Sequence, residues 1–294
     1  MKYLYYPGCS LEGTAREYDI ATRALMQSVD AELVEIPDWT CCGASAAEPT
    51  SHLLSLALPA RNIALAEGND DIDDILVPCS ACYLNLKRVI ETVKKDPDTL
   101  VTLNSILAEE NLHMGRRMNI RHLLDVLAND IGPQMIQTHL KAPFTGFTIA
   151  PYYGCQCLRP YPEFDDPEAP TSMESLISAT EADVFSWEMG GRCCGASHMN
   201  TEMDVALELV ASILEAARGA DAIVTVCPMC QMNLEAYQKK ISGLTHQDLR
   251  MTILYLPQFL GMAMGLSDKT LGLEFNLAIA DTFRSRRPSV HDAA

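Results

Sequence analysis

Positive charge is scarce in this sequence. Only 22 Lys and Arg stand against 39 Asp and Glu in 294 residues, a net charge of −17. No long basic run is present to neutralise phosphates or anionic head groups, which argues against nucleic acid and a polybasic membrane attachment. Long apolar runs are also missing. The most apolar stretch, residues 253–266, is too short to span a bilayer and contains Pro257 and Gln258, so no membrane insertion is expected. Residues 1–9 hold one Lys, no extended apolar segment and no small-residue cleavage site, and do not read as a signal peptide. A cytoplasmic protein is the expectation. Neither a glycine-rich dinucleotide or flavin fingerprint nor a ferredoxin-type Cys-x-x-Cys-x-x-Cys run occurs.

Cysteine, by contrast, is abundant and ordered. Cys41-Cys42-Gly43 recurs as Cys193-Cys194-Gly195, each followed by Ala-Ser, and a glycine after a vicinal pair permits the positive φ of a tight turn. In the first copy 31 residues separate Cys9 from Cys41, and 36 separate Cys42 from Cys79-Ser80-Ala81-Cys82. In the second, 37 residues separate Cys155 from Cys193, and 32 separate Cys194 from Cys227-Pro228-Met229-Cys230. Ten of 11 cysteines are thereby placed, leaving Cys157. In a reducing compartment such thiols are metal ligands or redox groups before they are structural disulfides.

The two sets share a frame. Strands are expected at residues 3–6, 33–36 and 75–77, each ending at a cysteine group, with helices over 14–29, 53–66 and 82–95. Two further helices are expected at 102–113 and 119–130. The second half repeats the order: strands at 147–151, 184–187 and 222–226, a helix over 203–217 and an irregular proline-rich loop at 159–170. Asn233-Leu234 echoes Asn85-Leu86, and residues 257–260 match residues 121–124. The simplest account is an internal repeat of about 145 residues. It divides the chain into domains 1–142 and 143–283, with 284–294 as a disordered tail. Three short strands per half, alternating with helices, imply an α/β fold of two pseudo-symmetric units, each a small, mostly parallel sheet flanked by helices. The cysteines then gather at the carboxyl edge of the strands, where open α/β sheets bind ligands.

Five thiols exceed the four ligands of a tetrahedral zinc or an ordinary iron–sulfur cluster. They imply a spare thiol beside such a cluster, a larger and less symmetric iron–sulfur assembly, or structural zinc at one or both sites with leftover cysteines. The methionines at 26, 203, 232, 262 and 264 read as helix core.

The doubled pattern Cys, Cys-Cys-Gly, Cys-x-x-Cys resembles the cysteine-rich CCG domain. The opening residues 6–14, Tyr-Pro-Gly-Cys-Ser-Leu-Glu-Gly-Thr, resemble the B subunit of heterodisulfide reductase. The resemblance runs from Lys2 to about Leu266. It implies two noncubane [4Fe–4S] clusters, one held by Cys9, Cys41, Cys42, Cys79 and Cys82, the other by Cys155, Cys193, Cys194, Cys227 and Cys230. It further implies that the two face each other and that a disulfide is reduced, or formed, between them. Electrons then come from a ferredoxin-like iron–sulfur subunit and, behind it, a flavin subunit. Alternatives are a CCG subunit for sulfur-carrier oxidation or transfer, one relaying electrons toward a quinone, and a zinc scaffold. Cys157 reads as an inert small residue or an additional thiol near the second cluster. His198 reads as a surface histidine or, with its near-neutral pKa, as an acid protonating a departing thiolate.

Overall fold

The computed structural model describes residues 1–44, 46–115 and 118–288. Two four-stranded, all-parallel sheets organise it. The first comprises β1 (Lys2–Tyr5), β2 (Glu32–Glu35), β3 (Asp74–Val77) and β4 (Asn119–His122), in the order β2-β1-β3-β4. The second comprises β5 (Thr148–Tyr152), β6 (Asp183–Val184), β7 (Ala222–Thr225) and β8 (Thr252–Tyr255), in the order β6-β5-β7-β8. Central strands read as apolar runs because helices cover both faces of a parallel sheet. Ile75, Leu76 and Val77 in the first sheet, and Ile223 and Val224 in the second, are fully buried.

Local signals set the helix starts. Ser51 accepts a hydrogen bond from the Leu54 N–H at the head of helix His52–Ala66. Asp96 caps Pro97–Leu107, which has proline in its first turn. That helix therefore begins five residues before the expected 102. It ends in a short 3-10 turn at Ala108–Glu110, after which Asn111 is left-handed with φ 57°.

Among the described residues each half has four strands, one more than expected. Residues 119–122, read from sequence as the start of a helix, form β4, and a short helix (Leu123–Val126) and a π turn (Leu127–Ile131) follow. Ile120 and His122 are buried while Asn119 and Arg121 are not, a period of two rather than 3.6. Asn119 and Arg121 reach out to Asp74 on β3. The register pairs Val77 with His122 and Thr225 with Tyr255. The position matching His122 is thus Tyr255, not the Gln258 that the sequence match implied.

The tail is also corrected. Asp281–Arg286 is a helix with Phe283 buried, Arg286 pairs with Asp221 at 2.5 Å, and Arg287 pairs with Asp268. Residues 289–294 lie outside those described. Met203 and Met232 are 41% and 39% exposed, so they are not core residues, whereas Met26, Met262 and Met264 are buried.

The larger core spans both halves, and a smaller one lies within the second half. Helix Leu256–Ala263 packs on helix Arg16–Ser28, and Tyr18 and Tyr255 are buried face to face. The 159–170 loop, irregular as expected, crosses to the first half: Phe164 stacks on His122, and Glu163 pairs with Lys87 at 3.0 Å.

Candidate metal centre

In each sheet the chain reverses its winding between the first and third strands, and the switch point between them is where such folds bind ligands. Cys9 follows β1 and Cys79 follows β3, while Cys41 and Cys42 follow the neighbouring β2. Cys155, Cys227 and the Cys193-Cys194 pair take the same places around β5, β7 and β6. Cys79 and Cys227 are the N-cap residues of helices Ser80–Lys95 and Pro228–Ala236, and Cys82 and Cys230 lie in their first turns. Free amide groups and the positive dipole end therefore face sulfur, which favours thiolate.

The first five sulfurs gather in two contacts. Cys9 lies 3.5 Å from Cys41 and Cys42 lies 3.3 Å from Cys82, while Cys41 and Cys42 adjoin in the chain and Cys79 caps the helix whose first turn holds Cys82. In the second set Cys194 lies 3.5 Å from Cys230, and Cys227 caps the helix whose first turn holds Cys230. Among the described residues no group of three or more His, Cys, Asp or Glu is arranged to hold a single metal ion; contact runs from pair to pair. Cys9, Cys41 and Cys193 are exposed and Cys155 half-buried, while the other six are buried.

Glycines make the approach possible. Gly43 and Gly195 have φ of 75° and 73°, and their N–H groups lie 3.4 and 3.3 Å from the sulfurs of Cys41 and Cys193. A Cβ on Gly8 or Gly154 would stand 2.9 Å from the sulfur of Cys82 or Cys230. No side chain fits there.

Charge is distributed alike in the two sets. Hydrogen bonds from Cys42 and Cys9, then the Gly43 amide, hold Cys41 well below the ordinary thiol range. Cys193 is lowered to about 6 by Cys155, the Gly195 amide and the charge of His198. Cys9 and Cys155, the partners of these thiolates, are pushed up by those same hydrogen bonds and by burial. Cys227 is lowered to about 7, first by Cys230, then by backbone amides and the Ser80 hydroxyl.

A cavity of about 140 Å³ lies between the halves. All five cysteines of the second set line it, and Ala44, Ala81, Asn85 and an Arg88–Glu48 ion pair of 2.8 Å close it from the first half. Cys9 and Cys41 instead open onto a surface groove of about 590 Å³ beside Trp39. Cys157 is fully buried, donates to the Tyr153 carbonyl at 3.2 Å, and burial raises its pKa. His198 is exposed at the end of a 3-10 turn, its N–H bonded to the Gly195 carbonyl at 2.8 Å.

Several residues at the site were not singled out from sequence. Asn85 donates to the Cys42 carbonyl at 3.2 Å and Asn233 to that of Cys194 at 3.1 Å, and their repetition in the two halves was the available signal. Tyr18, Ser80 and His122 carried no such signal.

An open parallel sheet with five thiols at its carboxyl edge, built twice around a common core, defines a tandem cysteine-rich α/β protein. The family described as "CCG: Cysteine-rich domain" matches residues 3–87 and 149–235, and the chain belongs to that family. It is 32% identical over 280 residues to the 8-methylmenaquinol:fumarate reductase membrane anchor subunit of Wolinella succinogenes, covering 94% of this chain and 96% of that one. It is 28% identical over 284 residues to the B subunit of the ferredoxin/F(420)H(2)-dependent CoB-CoM heterodisulfide reductase of Methanosarcina acetivorans, covering 94% and 93%. A hypothetical protein from Helicobacter pylori shares the fold, with a TM-score of 0.76 at 16% identity. The match covers 96% of this chain but only 52% of that one. Among the described residues no helix is long and apolar enough to cross a membrane.

Proposed function

We propose that this chain is the iron–sulfur subunit of a heterodisulfide reductase-like complex and acts on an S–S bond in the cavity between its halves. In this reading domains 1–142 and 143–283 each hold a noncubane [4Fe–4S] cluster on their own five cysteines. The residues fit that group: five thiols gathered at one sheet edge, amides aimed at two of them, and glycines where a Cβ would intrude. When bound, the clusters supply one-electron steps and iron sites for sulfur. A cytoplasmic complex with a ferredoxin-like iron–sulfur subunit and a flavin subunit supplies the electrons.

The observation that carries the reading is the cavity, walled by both halves and floored by thiols of the second set. Ala44, Ala81 and Leu84 form the apolar part of its first-half wall, beside Asn85 and the Arg88–Glu48 pair. Asn85 and Asn233 hold the Cys42 and Cys194 carbonyls, so the two vicinal turns stay fixed. His198, exposed next to the cavity-lining Ser197 and with its charge reaching Cys193, is the proton donor to a departing thiolate in this reading. Cys157 is inert, its S–H spent on a carbonyl.

Iron and acid-labile sulfide in anaerobically purified protein test the cofactor, and zinc at about two per chain without sulfide would end the reading. Reduction of CoB-CoM disulfide and of other disulfides by reduced viologen tests the reaction. The relative named for methylmenaquinol:fumarate reductase favours a second reading, electron relay toward or from a quinone. Failure on every disulfide with iron and sulfide intact would select it.

A further inference from the structure

We propose that the first half carries a peptide-binding groove along the open edge of β4, which takes an extended apolar segment of a partner polypeptide bearing one amide side chain. The proposal goes beyond the reading above and depends neither on the clusters nor on the substrate.

The second half shows what such a place holds. β8 is the last strand of its sheet, and residues 276–280 run along its edge. Ile253 donates its N–H to the Ala278 carbonyl at 3.0 Å, and its own carbonyl accepts from the Asn276 amide at 3.3 Å. Glu235, on helix Pro228–Ala236, accepts from the Ala278 N–H at 3.2 Å, and Gln258, in the helix after β8, donates to the Asn276 Oδ1 at 2.7 Å. One extended stretch thus fills the space between a strand edge and two helices.

In the first half the three matching places carry Ile120, Lys87 and Asp125. Ile120 and Ile253 hold the same register against β3 and β7. Lys87 stands eight residues after Cys79 as Glu235 does after Cys227, and Asp125 three after His122 as Gln258 does after Tyr255. All three line a cavity of about 700 Å³, with Ile90, Val93 and Leu100 among its apolar walls. The Asn119 N–H donates to the Asp73 carbonyl at 2.9 Å, so Ile120, the next residue of a parallel strand, turns its own N–H and carbonyl away from β3 to the open edge. Among the described residues no turn, loop or side chain is bonded to either group. The chain beyond has already crossed over, with residues 141 and 142 bonded to the Ala263 carbonyl of the second half. An unpaired strand edge beside an apolar cavity is a site for strand addition. This chain's residues 276–280 are committed to β8, so the segment comes from another polypeptide.

The exchanged side chains set its chemistry. Lys87 is 8% exposed and gives one donor to Glu163 at 3.0 Å, which leaves others for an acceptor. Asp125, equally buried, accepts from Arg121 and Asn129 and offers only lone pairs to a newcomer. A side-chain amide satisfies both, its oxygen toward Lys87 and its nitrogen toward Asp125. A carboxylate would face Asp125, and a cation would face Lys87.

The test uses the full chain and a fluorescent, end-blocked octapeptide with the sequence of residues 274–281, the stretch seated on β8. Fluorescence anisotropy should show saturable binding. Val93→Trp, which fills the cavity, should weaken it by about tenfold or more, whereas Val101→Trp, at a position 70% exposed outside the cavity, should leave it unchanged. Leu100→Trp gives the same reading should Val93→Trp fail to fold. Asn276→Leu in the peptide should cost roughly tenfold, and exchange of the Ile120 amide should slow by about tenfold in the complex. No saturable binding would overturn the groove. So would binding that survives both cavity-filling variants, which is displacement of the segment on β8, or a bound peptide that leaves Ile120 exchange unchanged. Uptake of the neutral dye phenylnaphthylamine that the peptide does not displace would assign the cavity to a small molecule and equally overturn the proposal. None of these readings uses iron content or disulfide reduction, so the groove and the proposed function fail separately.

Discussion

The rings of Tyr18 and Tyr255, one from each half, lie stacked 4.0 Å apart and within 3° of parallel. The Tyr18 hydroxyl is 3.0 Å from the Pro78 carbonyl and 3.1 Å from that of Val226, the residues immediately before Cys79 and Cys227. One side chain thus ties the two cysteine-bearing strand ends together at the centre of the shared core.

Tyr18→Phe keeps the stack and removes the tie. Pro78 then loses a buried donor, whereas Val226 keeps Ser80, so stability should fall by about 1–3 kcal/mol in denaturant unfolding. No loss would show that the strand ends are held by packing alone.

Cys42→Ala and Cys194→Ala separate the centres. Each cysteine contacts sulfurs of its own set, so either change should remove roughly half the iron and spare the other site. Loss at both sites from either change, read by iron and sulfide analysis, would contradict two independent centres.

Gly8→Ala should act like a cysteine substitution at the first site. Gly8 has φ 74° and ψ 162°, a region open almost only to glycine, and a Cβ would stand 2.9 Å from the Cys82 sulfur. A cost of roughly 1–3 kcal/mol and a loss of iron confined to the first set are expected. Full iron content would show that the turn can shift.

Glu235 makes stability depend on pH. It is buried, and desolvation raises its pKa from 4.5 to about 7 against hydrogen bonds from the amides of Ala278 and Leu277 and from Asn276, with Glu17 adding repulsion. The folded state therefore holds a proton that the unfolded state has released above about pH 4.5. Stability from this group is present below that value and is lost as pH rises to about 7. Glu235→Gln should flatten that part of the stability–pH curve, measured by unfolding at pH 5 and pH 7.5. An unchanged slope would exclude Glu235 as its source.

Much of the frame was legible because local rules govern it. Apolar runs ending at cysteines marked the first and third strands of each half, and Ser51 stands at a helix start that was expected at 53; the Asp96-Pro97 start, though equally local, was missed, the helix being expected only from 102. The fourth strands were not legible. Four residues such as Asn119-Ile120-Arg121-His122 are too few to separate alternation from helical spacing, and β4 is specified by pairing with Asp74–Val77, distant in sequence. Misplacing it hid His122 and shifted the match between halves. The loop at 159–170 was recognised as irregular, but its docking on His122 and Lys87 has no local signature.

The sequence by itself determined the two ordered sets of five thiols, the glycines that admit them, and the doubling of one α/β unit, since spacing, turn chemistry and apolar runs act over a few residues at a time. Tertiary structure alone decided how the copies differ. Ser80 and Pro228 occupy matching places and look like a minor exchange in the chain. Only the close apposition of the two halves, which brings the Ser80 hydroxyl to the Val226 carbonyl and Tyr18 to both strand ends, gives that exchange a physical consequence.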